Sequence, residues 1–436
     1  IDNRPVCYTL PYRISKIDCS VNLFMPDRAL LGSLTKPSNT EGILRWLEAL
    51  KDIDAIIISL DTIAYGGLIT SRRCDDSLDS IKIKLDRLKK FIQNKKVYAF
   101  SSIMRISNNN INQEEKPYWS EYGKKIFEYS YNFHKNNKTE TDIPKPILDD
   151  YLQTRKRNFE VNKIYLNWQN EGLFEKLIFS KDDCAQYGLN VLEAKQLSNL
   201  GGFVKTGADE IPLTLLARAV NDYRKKKIKI APIFIEPEYK NLISNYEDIS
   251  VEASTISQIE LANCTVTTVE DADILLYVNN FIANQGEIVM KLDTKPYSKK
   301  WIKPHKPYII ADVRFTNGSD NSFINEIFKT QIDNNFLGYA GWNTSANTLG
   351  SLICAASMSF NKKNNDEFKK LQAVRLLDDW AYQANVRQML EKPDKNLCAQ
   401  LMKPYEKKVW QFLDTEYNTK YSFTWDRLFE VEIELN

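Results

Sequence analysis

Ala55-Ile56-Ile57-Ile58-Ser59-Leu60, followed at once by Asp61 and then by Tyr65-Gly66-Gly67 and Ser71-Arg72, is the stretch that decides the fold class. An apolar run with no polar alternation describes a strand covered on both faces, as in parallel sheets flanked by helices. The same signature recurs at Val97 to Met104, Leu177 to Phe179, Ile230 to Ile235, Ile274 to Val278, Tyr308 to Ala311 and Leu337 to Ala340, with a further strand candidate at Val21 to Met25. Helical periodicity fills Ile81 to Asn94 and Ile211 to Lys227 between them. Strand and helix therefore alternate, which predicts an α/β fold with a parallel sheet. The expected form is a parallel (β/α) barrel-like domain with a helical insertion and a C-terminal helical tail. A strand count near nine also fits two doubly wound, Rossmann-like lobes, the alternative architecture.

In either form the carboxyl ends of the strands carry the chemistry. Polar clusters stand at those ends: Asp2-Asn3-Arg4-Pro5, Asp61 with Tyr65-Gly66-Gly67, Asp182-Asp183, and Gly341-Trp342-Asn343-Thr344. Arg4 and Arg105, each near a strand end, are suited to clamping a carboxylate or to pairing with Asp2 and Asp61. Asp209 and Glu210 precede a helix that opens with Ile211-Pro212, where acids complement the helix dipole and also serve as caps. Asp312 ends a strand and leads into Asn317-Gly318-Ser319-Asp320, which reads first as a turn. Trp342 with Asn343, and Asn347 beyond, offers an aromatic face beside amides, the equipment for a sugar ring; a core tryptophan is the competing reading. Gly66-Gly67 lets backbone approach a ligand or make a tight turn, and no phosphate-cradling glycine spacing accompanies it.

The 436 residues suit one large α/β domain with additions, or two to three domains. Lys+Arg at 59 against Asp+Glu at 57 gives a net charge of +2, which argues against nucleic acid or an anionic membrane as partner. No window approaches the roughly 18–20 apolar residues that span a bilayer. Seven scattered cysteines without a Cys-x-x-Cys pair read as free thiols and favour a reducing, cytoplasmic location. Ile1 reads as the last residue of a strand whose start is missing, and export is the alternative if a leader preceded it.

Four segments are expected along the chain. Residues 1–106 are the first part of the α/β domain, and 107–172 are a helical insertion with periodicity near Tyr118 to Phe133 and Ile147 to Asn167. Residues 173–361 are the second part of that domain. The charged break Lys362 to Glu367 then opens a tail, 362–436, with helices at Phe368 to Glu391 and Lys403 to Asp414 and a strand-like end at Trp425 to Leu435.

With only His134 and His305, neither in ligand spacing, and no Gly-x-Ser-x-Gly elbow, a His-rich zinc site and a Ser-His-Asp relay are both disfavoured. What remains is carboxylate chemistry assisted by Tyr, Trp, Asn and Arg, the equipment of glycoside hydrolysis. No cofactor and no metal ligand set is assigned. An adjacent pair such as Asp182-Asp183 can divide the work, one carboxylate meeting substrate and the other orienting it, although capping a helix or turn is the bland role for the same pair.

Read in order, Asp2-Asn3-Arg4-Pro5 with Tyr8, Leu60-Asp61 through Gly67-Leu68 to Ser71-Arg72, Asp182-Asp183 with Tyr187-Gly188, Gly207-Ala208-Asp209-Glu210, and Gly341-Trp342-Asn343-Thr344 with Asn347 to Gly350 resemble a bacterial family catalogued as domain of unknown function 4127. The resemblance continues into the tail with Asp379-Trp380, Tyr382-Gln383, Arg387 and the closing Trp425-Asp426-Arg427-Leu428-Phe429-Glu430. It covers nearly the whole chain and implies a single unit, without an activity to transfer.

The expectation is a carboxylate-based glycoside hydrolase acting on a small or oligomeric sugar. N-acetylated sugars come first by analogy with hexosaminidases that use the substrate's acetamido group. Asp182, Asp183 and Asp61 are its expected acid–base residues. Asp2, Asn3, Arg4, Tyr65, Gly66, Gly67, Arg72, Arg105, Asp209, Glu210, Asp312, Asn317, Trp342, Asn343 and Asn347 are expected to line the pocket. The alternatives are a non-catalytic two-lobed binding protein for a small polar ligand and an Asp/Mg-dependent phosphate-ester enzyme.

Overall fold

A computed structural model describes residues 2–182, 184–362 and 365–436. Its strands are β1 (Ile56–Ser59), β2 (Val97–Ile103), β3 (Lys176–Lys181), β4 (Val204–Thr206), β5 (Lys229–Phe234), β6 (Thr265–Val266), β7 (Ile274–Asn279), β8 (Gly286–Glu287), β9 (Tyr308–Asp312), β10 (Phe315–Thr316), β11 (Phe336–Ala340), β12 (Thr419–Phe423) and β13 (Val431–Leu435). The chain divides into two compact units. The first comprises Ile1–Asn3, Phe24–Pro212 and Tyr246–Asp248; the second comprises Arg4–Leu23, Leu213–Asn245 and Ile249–Asn436.

The first unit is built on a parallel sheet in the order β1-β2-β3-β4. Every residue of β2 is buried, as an unalternating run requires. Helix Leu78–Ile92 buries Ile81, Leu85, Leu88 and Ile92, spaced at i, i+4, i+7 and i+11, and packs against helix Leu60–Tyr65; Ser77 caps it by accepting from the Ser80 amide at 3.2 Å. Residues 107–172 belong to this unit. Their helices, Trp119–Asn136 and Lys145–Asn170, share a core of Met104, Ile106, Trp119, Ile126, Ile143 and Tyr151. Arg155 of the longer helix is buried, paired with Glu193 at 2.9 and 2.6 Å and donating to the Met104 carbonyl at 2.8 Å.

The second unit carries the parallel sheet β11-β9-β7-β5-β6. Counted in chain order, its strands run 2-1-3-4-5, so the winding reverses between β5 and β7. A crevice outside the carboxyl ends of those two strands is where such sheets bind ligands. Helix Ser345–Lys362 follows β11 and packs under it with Leu349, Leu352 and Ile353 buried. The tail belongs to this unit: helix Asn365–Arg375 runs into a π-helical turn, Leu376–Tyr382, followed by helix Lys395–Leu413 and the antiparallel hairpin β12-β13. Residues 363 and 364, in the break expected at Lys362 to Glu367, lie outside the described residues.

The α/β class with parallel sheets is as expected, and the barrel is corrected. Neither sheet closes: β1 and β4 are edges of one, β11 and β6 of the other, and the consecutive strands β4 and β5 belong to different sheets. Four and five strands also fall short of the eight that build a parallel (β/α) barrel. The strand expected at Val21 to Met25 is also corrected. The segment has no ladder partner, and Asn22 and Phe24 are exposed, so its apolar residues lack the cover that a buried strand needs.

Candidate functional site

At the strand ends of the first unit, Asp61 opens helix Leu60–Tyr65 directly after β1 and is 1% exposed. Its Oδ2 accepts from the Ser102 amide at 2.8 Å and its Oδ1 from the Ser101 hydroxyl at 3.2 Å, tying this turn to β2. Burial pushes the carboxyl upward against those donors. Gly66 ends the helix in the left-handed region, φ 85°, where a Cβ would fall 2.6 Å from that of Pro37. Arg157 lies over the Tyr65 ring at 5.3 Å. Gly67, φ 139°, continues the same turn.

Arg72 and Arg105 enter one charge cluster. Arg105 reaches Glu114 at 2.8 Å, Glu115 at 3.2 Å and Asp182 at 3.5 Å. Arg72 is buried, with Nε 3.2 Å from Glu115 and Nη2 3.5 Å from Glu114, while its Nη1 is buried without a hydrogen-bond partner. Three acids thus surround two arginines, an arrangement that neutralises the guanidinium groups within the protein. Asp183 lies outside the described residues. Asn3 accepts from Arg28 through its carbonyl at 2.6 and 2.9 Å, and Asp2 is buried. Glu210 accepts from the Ala208 amide at 3.0 Å, and a Cβ on Gly207 would fall 1.8 Å from its Oε1. Asp209, beside it, is partly buried.

The second unit gathers the remaining residues around the ends of β7, β9 and β11. Asp312 closes β9, fully buried. Its Oδ1 accepts from Asn279 at 2.8 Å, and its Oδ2 from the Asp320 amide at 2.8 Å and the Tyr339 hydroxyl at 3.1 Å. Burial and the neighbouring Asp320 nonetheless push it up to about 7. Arg314 is fully buried and bridges Asn279 at 3.1 Å, the Lys295 carbonyl at 2.9 Å, Glu236 at 3.1 Å and Asp320 at 3.4 Å. Glu236 and Asn280 stand at the ends of β5 and β7, beside the point where the winding reverses; the Asn280 side-chain amide accepts from the Glu236 backbone N–H at 2.9 Å and donates to the Glu236 carbonyl at 2.8 Å.

Beyond β11 the chain passes through a cis peptide between Trp342 and Asn343. Trp342 is buried against Phe429, ring centroids 5.8 Å apart, with its indole nitrogen unpartnered. The Asn343 carbonyl accepts from the Asn317 amide at 2.9 Å, and the Asn317 side chain donates to Glu287 at 2.6 Å. Asn347 donates weakly to Thr344 at 3.4 Å. Arg4 lies over the Trp425 ring at 5.2 Å and 3.7 Å from Glu430, which Arg427 holds at 2.6 and 2.7 Å.

The π-helical turn carries an adjacent pair of acids. Asp379, fully buried, accepts from the Gly341 amide at 2.6 Å and from Arg375 at 2.7 Å. Burial lifts its carboxyl to about 8 against the pull of Arg375. Asp378, lifted to about 6 by burial against the donor of Gln383, lines a small pocket of about 40 Å³ with Arg375, Trp342, Arg13, Glu430 and Glu432. The apolar wall of that pocket is Val6, Leu10, Val374, Val431 and Ile433.

Trp342 alone of the residues expected to line a pocket does so here; Asp312 lies close behind it through Ser319, whose hydroxyl meets Tyr339 at 2.6 Å and whose amide donates to the Asp379 carbonyl at 3.0 Å. Asp378, Asp379, Arg375, Gln383 and Glu430 were missed, because no strand precedes them. The signal was the tail motif of Asp379, Gln383, Arg387 and Glu430, scattered in sequence and converging here. Among the described residues, no three His, Cys, Asp or Glu side chains form a metal-binding group.

Asp312, Asp378 and Asp379 share a consequence for stability. Each binds its proton more tightly folded than unfolded, so the stability it contributes is complete below about pH 4 and is lost as the pH rises through the folded values. Between about pH 5.5 and 8.5 the low-shifted Asp18 and Asp248 are ionised in both states and stay silent. Urea unfolding is expected to show stability falling across that window. Asp379→Asn should flatten the fall by up to about 1.4 kcal/mol per pH unit. A flat profile in the unsubstituted protein would contradict this.

The profile of a family described as Protein of unknown function (DUF4127) matches residues 1–434. No curated protein and no solved structure matches the chain. Among the described residues, no helix is long and apolar enough to cross a membrane.

Proposed function

We propose, on the premise that this chain belongs to the DUF4127 family, that it is a carboxylate-based glycoside hydrolase whose working site is the pocket of the second unit. The observation that carries the reading is the placement of Asp378 and Glu430 on one pocket in contrasting surroundings. Asp378 sits where burial favours the protonated form, the requirement for a general acid near neutral pH. Glu430 is held by Arg427 and Arg4, which place its carboxyl oxygens beside the pocket to stabilise positive charge at an anomeric carbon. Asp379 orients the turn from behind, through Gly341 and Arg375.

The pocket presents a mainly apolar wall beside its carboxylates, which suits a methyl-bearing substituent. That lining supports an N-acetylated sugar, its acetamido methyl against the apolar wall. A second reading, binding of a small polar ligand without turnover, is favoured by the near-complete burial of Glu430. The test is hydrolysis of a panel of chromogenic glycosides, N-acetylhexosaminides included, with and without chelator. Turnover indifferent to chelator is the expected result. Turnover lost with chelator would contradict the metal-free carboxylate mechanism, and no turnover by folded protein would favour the binding reading.

A further inference from the structure

The π-helical turn is an unusual way to carry two acids, and one side chain holds it. In an α-helix the Gln383 amide would bond to the carbonyl of Asp379. Here it donates to the Asp378 carbonyl at 2.9 Å, five residues back, the bond that defines a π turn. The Gln383 side chain, fully buried, repeats the clamp. Its Nε2 donates to Asp378 Oδ1 at 3.0 Å and to the Phe429 carbonyl at 3.2 Å, next to Glu430. Its Oε1 accepts from Arg387 at 3.0 Å, which fixes which end of the amide is the donor, and Arg387 stacks over the Phe429 ring at 4.8 Å.

We propose that Gln383 is a positioning residue for the pocket: its amide fixes Asp378 through Oδ1, leaves the other carboxyl oxygen to a ligand, and locks the π turn that lets Asp378 face the pocket while Asp379 faces the Gly341 amide. The inference rests on the reading that Asp378 is the working carboxyl. The single inserted residue of a π turn rotates everything before it relative to everything after it. Relaxing to an α-helix would therefore carry Asp378 away from either Glu430 or Gln383. The amide also does electrostatic work. Its donor stabilises the ionised form of Asp378 alongside Arg375 and Arg387, and it opposes burial and the neighbouring charges of Asp379 and Glu430.

Two replacements separate these roles from simple packing. Gln383→Met keeps the shape and removes both ends of the amide; Gln383→Glu keeps the acceptor for Arg387, removes the Nε2 donor to Asp378 and to the Phe429 carbonyl, and sets a second carboxyl beside Asp378. The test follows the Asp378 carboxyl directly by carbon NMR of aspartate-labelled full-length protein, its resonance identified by its absence in Asp378→Asn, alongside the pH profile of kcat/KM. The expected result is a titration moved upward by about one pH unit in Gln383→Met, and further in Gln383→Glu, for loss of a hydrogen bond to a charged acceptor. The acidic limb of the rate profile should move with it, with kcat changing more than KM. A moved titration in a protein that turns over no glycoside would support the positioning role and overturn the hydrolase reading. An unmoved titration in either folded variant would overturn the proposal itself, and because Gln383→Glu retains the Arg387 contact it answers the question even where Gln383→Met does not fold.

Discussion

Replacing Arg314 by methionine is expected to destabilise the second unit by about 3–5 kcal/mol, the cost of removing one partner from a buried ionic network. The guanidinium is fully buried and touches four groups from different segments: Asn279 at the end of β7, the Lys295 carbonyl, Glu236 after β5 and Asp320 ahead of helix Asn321–Ile327. Methionine fills much of the same volume, so the loss reports the charge and not a cavity. Glu236 keeps Lys299 at 2.9 Å, and Asp320 keeps the Ser322 and Tyr297 amides. What is left behind is therefore a carboxylate with backbone donors but no countercharge. Asp320 is the group that suffers most, and adding Asp320→Asn should recover part of the loss, a coupling expected for residues in one network. Urea unfolding followed by tryptophan fluorescence measures both. A loss below about 1 kcal/mol would mean that the network behaves like a surface ion pair.

Arg314 also shows where sequence reading ran out. Asp312, two residues before it, was legible because it ends an unalternating apolar run. Arg314 falls in the next turn, and its four partners lie 6 to 78 residues away in the chain. Burial of an arginine depends on those partners being assembled, and no local pattern carries that information. The sheet strands of Ile56, Val97, Lys176, Lys229, Ile274, Tyr308 and Phe336 were legible within a residue or two because both faces are covered, which leaves a continuous apolar signature. The short strands β4, β6, β8 and β10 carry too few residues to show one. Closure was not legible at all, since a barrel and a pair of open sheets place the same demands on each strand and differ only in which edges meet.

The site divides along the same line. Asp61 and Asp182 were read from their position after strands, and the structure gives both of them protein partners: the Ser101 and Ser102 donors for one, the Arg105 cluster for the other. Trp342 was read as an aromatic face for a ligand. It lies at the pocket, and its packing on Phe429 also gives it the core role that was weighed against that reading. Asp378 and Asp379 sit in a helical tail where an acidic pair looks like an ordinary solvated face. Only the π turn, set by the Gln383 bonds to Asp378, turns one acid to the pocket and buries the other. On the proposed reading, Asp378 and Asp379 take the division of labour that was expected of Asp182 and Asp183.

The second large effect follows from that placement. A general acid contributes typically 10²–10⁴-fold to a rate, and asparagine at position 378 keeps the shape while removing the proton. On whichever glycoside of the panel is cleaved, the decisive measurement is kcat for Asp378→Asn beside kcat for Asp182→Asn. The expected result is a loss of about 10²–10⁴-fold in the first and a rate within a few-fold of the unsubstituted protein in the second; a folded Asp378→Asn that turns over normally while Asp182→Asn is inactive would contradict the account and move the site to the first unit.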